Sequence, residues 1–371
     1  MMKKSFILTL GSATCDLFID AGSVKQQEKS TKKQICVEEG IKVEVMSLDR
    51  MAGGGALNAA RTLAKLGFLV KAFCKIAQDD AGRVITDEMT TLGVDFSSAI
   101  TNASVPTATS FVLRAESGNH PILAYRGANE TIEEKDLPWQ LLETAAGLYI
   151  APLGGAAADL LPRIAQRGFD RDILVLHNPN EYQLTHKIES LIEALPFISL
   201  LVLNAREARL LFKFFLMHAD IEHPKPGGKQ QLPHELFNEL LLLDGHRFSF
   251  EDFAKIVLDY GVQTVVVTNG AEGVYAATDS AKNSGDAGSL FFCPSKKVSV
   301  YNTVGAGDTF GSTLFGALFS GCPLEKALAC ATLNSAALLE SKTLPPHLLT
   351  MGELEAQLEK VDGTAFRSSW S

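Results

Sequence analysis

Four short apolar segments, each followed by a helical pattern, constrain the fold of this chain more than any other feature. Regular alternation of strand and helix favours right-handed crossovers and a parallel sheet that is covered by helices. The carboxyl ends of parallel strands lie at one edge of a sheet, so polar residues that follow the strands should converge there. The apolar segments are residues 148–151, 173–177, 200–203 and 264–268. Polar or glycine residues at or after their ends include Asn204, Glu207, Thr268 and Gly270.

The composition is that of a globular protein with a sizeable core: 371 residues, of which 46% are hydrophobic and 21% charged. The net charge is -9 and no long run of Lys or Arg occurs, so we expect no nucleic-acid partner. The six cysteines have no paired spacing, which argues against a zinc site and disulfides and favours a reducing cytoplasm. No segment approaches the roughly 18 apolar residues that a membrane span needs.

Residues 303–310, with the sequence Thr-Val-Gly-Ala-Gly-Asp-Thr-Phe, predict a site of chemistry. The residues before them alternate over 297–301 and those after them repeat at helical spacing, which predicts a strand, a glycine turn and a helix. The first N–H groups of such a helix are unpaired, and glycines let an anion approach them. Asp308 at the rim could take a proton from a substrate hydroxyl while the N–H groups hold a transferring phosphoryl group.

Two other interpretations of this stretch exist. Asp308 could be a helix N-cap, with the glycines serving only the turn. The stretch could also be a dinucleotide fingerprint, because Gly311 and Glu325 follow at suitable spacing. The context excludes the fingerprint, since Glu325 comes directly after a helix-start signal at Pro323 and therefore opens a helix.

The N-terminal part supplies further candidates for substrate binding. Residues 5–11 predict a first buried strand, which delivers Asp16 beyond its end, where it could bind a substrate hydroxyl. Three consecutive glycines, with Gly54 at their centre, precede Asn58 and a helix that extends to Leu66. Glycines at this place let a ligand approach the backbone, and they could also serve as a hinge.

Alternating segments outside the strand-helix pattern predict a small antiparallel sheet that could form a lid. They are residues 41–46 and the pair 107–115 and 121–126. We assign the lid to segments 17–50 and 105–127, and we interpret residues 216–248, which contain several Pro and Gly, as an insertion.

Three polar residues have structural alternatives. Asn204 and Glu207 could form a capping box, or they could organise Mg²⁺ through water, because Mg²⁺ prefers oxygen ligands and keeps much of its hydration shell. Asn334, in a long helix rich in small residues, could face a flat ring or make a helix-helix hydrogen bond.

The chain resembles the ribokinase-like (phosphofructokinase B) family of carbohydrate kinases over residues 6–340. The signature at 303–310 is highly specific, and the weaker motifs at 53–58 and 127–129 follow in the expected order. The resemblance implies one kinase domain over residues 1–371. Its fold would be an α/β three-layer sandwich with a mainly parallel, doubly wound sheet and a small antiparallel β lid.

The resemblance also implies an ATP-dependent sugar kinase that phosphorylates a hydroxymethyl group, with Mg²⁺ as the cofactor. Asp308 would be the base, and the backbone of Gly305, Ala306 and Gly307 would form the anion hole. The implied sugar-binding residues are Asp16, Gly54 and Asn58. The implied nucleotide-binding residues are Asn204, Glu207, Thr268, Gly270 and Asn334, with Glu207 holding Mg²⁺ through water. The lid often supplies a homodimer contact in this family.

The sequence departs from the family pattern at two places. Asn302 stands where the family commonly has Asp, at a position linked to a monovalent-cation site in several members, which puts potassium activation in question. The acidic residue that many sugar kinases place after segment 148–151 is missing, which leaves the sugar open.

Two alternatives to a sugar kinase remain. A nucleoside kinase on the same fold would need a base pocket built from lid residues such as Phe18, Phe111 or Tyr125. A non-catalytic sugar or nucleotide sensor would not need Asp308.

Overall fold

A computed structural model describes residues 5–20, 26–29, 32–101, 104–114, 120–218, 241–243, 246–279, 288–359 and 366–369. The strands of this part are β1 (Ile7–Leu10), β2 (Thr14–Asp20), β3 (Gln26–Lys29), β4 (Lys32–Ile35), β5 (Ser47–Gly53), β6 (Val70–Phe73), β7 (Lys75–Ile76), β8 (Ile100–Thr101), β9 (Thr109–Leu113), β10 (Ile122–Tyr125), β11 (Gly147–Ile150), β12 (Leu174–His177), β13 (Leu200–Asn204), β14 (Leu241–Leu243), β15 (His246–Phe248), β16 (Thr264–Thr268), β17 (Val274–Thr278), β18 (Ser289–Cys293) and β19 (Phe366–Ser369).

The helices of the same described residues alternate with the parallel strands over much of the chain. They are α1 (Gly55–Lys65), α2 (Asp80–Thr91), α3 (Trp139–Leu142), α4 (Leu161–Phe169), α5 (Glu181–His186), α6 (Ile188–Ala194), α7 (Ala205–His218), α8 (Phe250–Asp259), α9 (Ala306–Phe319), α10 (Leu324–Glu340) and α11 (Met351–Leu358). Within the described part of the chain, no helix is both long and apolar enough to cross a membrane.

The described strands form one large sheet in the order β19-β18-β17-β16-β13-β12-β11-β1-β6. Pairing is parallel from β6 to β16, and the remaining strands add an antiparallel edge. Successive residues of a strand point to opposite faces, so Leu148 and Ile150 pack into one apolar core, whereas Tyr149 and Ala151 pack into the other. Helices cover both faces, and the predicted α/β class with a mainly parallel sheet is confirmed.

The small sheet has the strand order β10-β9-β2-β5. It contains one parallel pair, β2 with β9, and is otherwise antiparallel. The prediction of a strand at residues 41–46 was wrong, because the strand starts at Ser47. Ile41 and Val45 are both about half exposed, so their alternation marks no buried face. We call the sheet β10-β9-β2-β5 the lid.

The prediction of a strand at residues 297–301 was also wrong. The nearest preceding strand, β18, ends at Cys293, and the residues that follow it are irregular up to the glycine turn. The backbone N–H groups of Tyr301 and Asn302 both donate to the carbonyl of Leu339, at distances of 2.8 and 3.3 Å. The segment therefore docks on the end of α10 instead of joining a sheet.

The predicted insertion at 216–248 lies mostly outside the described residues. Helix α7 continues into it as far as His218, and β14 and β15 form an antiparallel pair near its end. Residues 219–240 and 244–245 are not among those described.

Candidate active site

The glycine turn opens the N-terminus of α9 to the edge where the parallel strands end. Gly305 is the N-cap and has a φ of 80°, a left-handed conformation that favours glycine. A Cβ on Gly307 would have no heavy atom within 4 Å, so the space in front of the helix is open. The first N–H groups of a helix lack intrahelical acceptors, and an anion could bind them here.

Asp308 lies in the first turn of α9, where its half-buried carboxylate faces the α1 helix. Its Oδ2 accepts a hydrogen bond from Asn58 Nδ2 at 2.8 Å. Because Gly305 is the N-cap, the interpretation of Asp308 as an N-cap was wrong. Burial raises the pKa of Asp308, the charge of Asp16 raises it further, and the Asn58 hydrogen bond and the Arg61 charge oppose the shift. The geometry places a carboxylate with a raised pKa beside the open N-terminus of a helix.

A chain of buried polar groups fixes the orientation of Asn58. Arg61 Nη1 donates to Asn58 Oδ1 at 2.8 Å, which leaves the amide nitrogen to face Asp308. Glu88 of α2 in turn accepts from Arg61 Nε and Nη2 at 2.9 and 2.6 Å. Arg61 also donates to the Ala52 carbonyl, and Glu88 accepts from the Ala52 N–H at 2.8 Å. We call Asn58, Arg61 and Glu88 the orienting chain.

Sequence reasoning missed Arg61 and Glu88. The spacing of Asn58 and Arg61 by three places was a usable signal, because residues three apart share a helix face. Glu88 lies 27 residues further on in another helix, and nothing in the local sequence indicated that it would contact Arg61.

Asp16 lies on the lid strand β2, not in a loop as the sequence suggested. Its buried Oδ1 accepts hydrogen bonds from Thr14 at 2.8 Å and Ser110 at 2.5 Å, and burial raises its pKa. A Cβ on Gly53 would overlap its carboxylate, so only glycine fits there. Gly54, with a φ of 89°, brings α1 against Ser12 at the end of β1. The lid and the core thus meet beside Asp16.

The predicted nucleotide-binding residues lie further along the same edge. Asn204 and Thr268 are paired neighbours at the ends of β13 and β16, and Gly270 starts a short helical turn just beyond. Asn204 Oδ1 accepts from the Glu207 N–H at 2.9 Å, and Glu207 Oε2 accepts from the Asn204 N–H at 2.8 Å. Asn204 and Glu207 therefore form the reciprocal hydrogen bonds of a capping box. Burial raises the pKa of Glu207 to about 7, and the charge of Asp308 contributes to this shift.

Asn334 is completely buried, and its contacts are structural. Its Nδ2 donates to Thr313 Oγ1 at 2.9 Å, and its Oδ1 accepts from the Leu349 N–H at 2.8 Å. These bonds join α10 to α9 and to the segment before α11. The helix-helix hydrogen bond foreseen as an alternative is what this side chain makes, and a role in nucleotide binding stays a prediction.

Glu207 is the residue to which the family resemblance assigns Mg²⁺. Among the described residues no group of three or more His, Cys, Asp or Glu could hold a metal, so Glu207 would need phosphate oxygens and water as further ligands. The monovalent-cation position does not fit. Asn302 Oδ1 already accepts from the Val304 N–H at 3.0 Å, and Arg114 and Lys342 line the adjoining cavity.

In the described part of the chain, the three lid aromatics expected to form a base pocket for a nucleoside do not come together beside Asp16. Residues opposite each other in strand pairing lie on one side of a sheet, and Asp16 is opposite Ser110. Phe111 follows Ser110 and therefore lies on the other side, together with Tyr125. Phe18 is on the inward side but is buried in the lid core.

Comparison with known proteins gives a consistent result. The family model described as pfkB family carbohydrate kinase matches residues 22–345. The chain is 23% identical to 5-dehydro-2-deoxygluconokinase of Geobacillus kaustophilus (strain HTA426), over 85% of this chain and 87% of that protein. It is 25% identical to ribokinase of Staphylococcus aureus (strain COL), over 82% and 83% of the two chains. A structure of Arabidopsis thaliana ribokinase complexed with ribose and ATP has a TM-score of 0.71 at 18% identity, and the match covers 96% of this chain and 99% of that one.

The orienting chain predicts a strong energetic coupling between Arg61 and Glu88. Arg61→Met should lower the free energy of unfolding by about 3–5 kcal/mol, because it leaves a largely buried carboxylate unpaired. Arg61→Met combined with Glu88→Leu should cost less than the sum of the two single changes. A double-mutant cycle by denaturant unfolding measures this coupling. If the two losses of unfolding free energy simply added, the orienting chain would be contradicted. The exposed ion pair between Arg167 and Glu143 is the control, and near-additivity is expected for it.

Proposed function

The chain belongs to the pfkB family of carbohydrate kinases, and from that premise we propose which groups carry out the reaction. The γ-phosphoryl group of ATP passes to a hydroxymethyl oxygen of a small sugar. The observation that carries the assignment is the 2.8 Å hydrogen bond from Asn58 to Asp308, which holds a carboxylate in the first turn of α9, next to its open N-terminus.

Asp308 acts as the base. As the sugar oxygen forms its bond to the γ-phosphorus and the bond to the ADP oxygen breaks, the hydroxyl proton passes to Asp308. The backbone N–H groups of Gly305, Ala306 and Gly307 hold the charge that develops on the phosphoryl oxygens. Burial raises the pKa of Asp308, which increases its affinity for that proton.

The sugar binds between the lid and the core. Asp16 accepts from one sugar hydroxyl, and the backbone at Gly54 and the side chain of Asn58 contact others. Asp16 already accepts from Thr14 and Ser110 through Oδ1, which orients the carboxylate and leaves Oδ2 for the substrate. Because relatives carry the names 5-dehydro-2-deoxygluconokinase and ribokinase, we place the substrate among sugars and sugar acids of that size.

The nucleotide lies along the strand ends beyond the anion hole. Asn204, Thr268 and Gly270 line its path, and Asn334 supports it from within through α9. Glu207 would hold Mg²⁺ through water, and a bound ion would supply positive charge against the phosphates. The raised pKa of Glu207 reflects burial and a neighbouring carboxylate, an environment that a divalent cation would relieve.

The six cysteines are free thiols, and four of them are buried. A reducing compartment keeps thiols in this form, and we therefore place the protein in the cytoplasm.

Asp308→Asn should lower kcat by about 10²–10⁴-fold, because the amide cannot take the proton. The affinity for ATP should change little, since the backbone anion hole is kept. The measurement is ADP release from Mg-ATP with pentoses, hexoses, 5-dehydro-2-deoxygluconate, sugar phosphates and nucleosides. The matched control is Asp259→Asn, which changes an exposed carboxylate at the end of α8. Turnover of Asp308→Asn near the wild-type value would remove Asp308 from the mechanism. Binding of ATP without turnover of any compound would favour a sensor.

The outward side of the lid supports a homodimer. Leu48, Phe111, Leu123 and Tyr125 lie on this side and are 39–61% exposed. A contiguous exposed apolar surface of this kind commonly marks a protein interface. A second copy that packs its lid against this surface would remove these side chains from water.

Leu123→Asp should weaken the dimer by at least about tenfold, because it places a charge in the apolar contact. Ala124→Asp, on the same strand but facing the other way, should keep the dimer. Light scattering during size-exclusion chromatography over a range of protein concentrations measures both. A wild-type protein that stays monomeric at tens of micromolar, or a Leu123→Asp protein with unchanged dimerisation, would rule out this interface.

A further inference from the structure

A small cavity lies behind the glycine turn, between the lid and the segment that follows α10. Its volume is about 160 Å³, which is several times the roughly 30 Å³ that one water occupies in the liquid and well below the ~300 Å³ of small drug-sized ligand pockets. The size suits a small ion with a few waters. The residues lining it are Phe18, Arg114, His120, Tyr301, Asn302, Ser341, Lys342, Thr343 and Leu344.

The lining is basic. Arg114 and Lys342 contribute cations, His120 hydrogen-bonds the Tyr301 backbone, and no Asp or Glu is among the described lining residues. The Lys342 ammonium lies 4.3 Å from the centroid of the Tyr301 ring, an arrangement that holds it at the cavity. Arg114 is only partly neutralised, because its 3.2 Å ion pair with Asp49 is solvent-exposed.

Asn302 supplies an independent indication of a missing acceptor. The residue is 6% exposed, and its Nδ2 is buried without a hydrogen-bond partner among the described residues. Its Oδ1 is fixed by the Val304 N–H, so exchanging the two amide atoms would lose that bond. Buried polar groups in native proteins nearly always have partners, and an unpaired N–H requires an acceptor. Asn302 is among the residues that line the cavity, and an anion bound there would supply the acceptor.

We propose that this cavity binds a small oxyanion, of the phosphate or carboxylate class, and not a monovalent cation. Lys342 and Arg114 supply the charge, and Asn302 supplies the unpaired N–H. The described residues that line it do not include Gly305, Ala306 or Gly307, so the site is separate from the anion hole. A bound oxyanion contacts both the lid, through Arg114, and the loop that leads into Gly305.

The test is direct binding of inorganic phosphate, sulfate and acetate, measured by titration calorimetry at constant ionic strength. The wild-type protein should bind at least one of the three saturably. Lys342→Met and Arg114→Met should each raise its Kd at least tenfold, as should Asn302→Asp, which adds a negative charge. Lys65→Met, an exposed lysine on α1 outside the cavity, is the matched control and should leave Kd unchanged. Circular dichroism confirms that each variant is folded.

Two results would overturn the proposal. One is the absence of saturable binding of all three anions to the wild-type protein. The other is saturable binding that is unchanged in folded Lys342→Met and Arg114→Met, which would place the anion at the glycine turn instead. These readouts do not depend on catalysis, so failure of the proposed kinase mechanism would be seen separately, as loss of turnover without loss of anion binding.

Discussion

The hydrogen bond between Asn58 and Asp308 joins residues 250 positions apart, and the candidate active site depends on it. It connects the N-terminal turns of α1 and α9, each of which starts at a glycine with positive φ. An amide can present either its oxygen or its nitrogen, and Arg61 decides which by binding the oxygen. The buried ion pair with Glu88 holds Arg61 in the position from which it binds that oxygen.

The carboxyl edge of the sheet gathers three carboxylates whose pKa values are all raised by burial: Asp16, Asp308 and Glu207. Two of these shifts include repulsion from another member of the set. Such an arrangement is costly in the free protein and is relieved when a cationic or proton-bearing ligand arrives. A Mg²⁺ nucleotide complex and a sugar hydroxyl are ligands of these two kinds.

Much of this architecture was predictable from sequence, because buried parallel strands give apolar runs and glycine turns restrict the backbone at Gly54 and Gly305. The two wrong strand predictions have a common cause. Alternation at 41–46 and 297–301 was interpreted as strand, but those side chains cover no buried face. Glu88 was not predictable, because its contact with Arg61 is made between helices. The face on which Phe111 lies also required the register of the lid.

The pH dependence of kcat/KM tests the central claim most directly, since it reports the pKa of essential groups in the free enzyme. Activity needs Asp308 ionised, so it should fall as the pH drops below the pKa of Asp308. The Asn58 hydrogen bond lowers that pKa. Asn58→Leu should therefore shift the acid limb to higher pH, in addition to lowering the maximum. An acid limb at the same pH in both proteins would contradict the claim that Asn58 sets the state of the catalytic base.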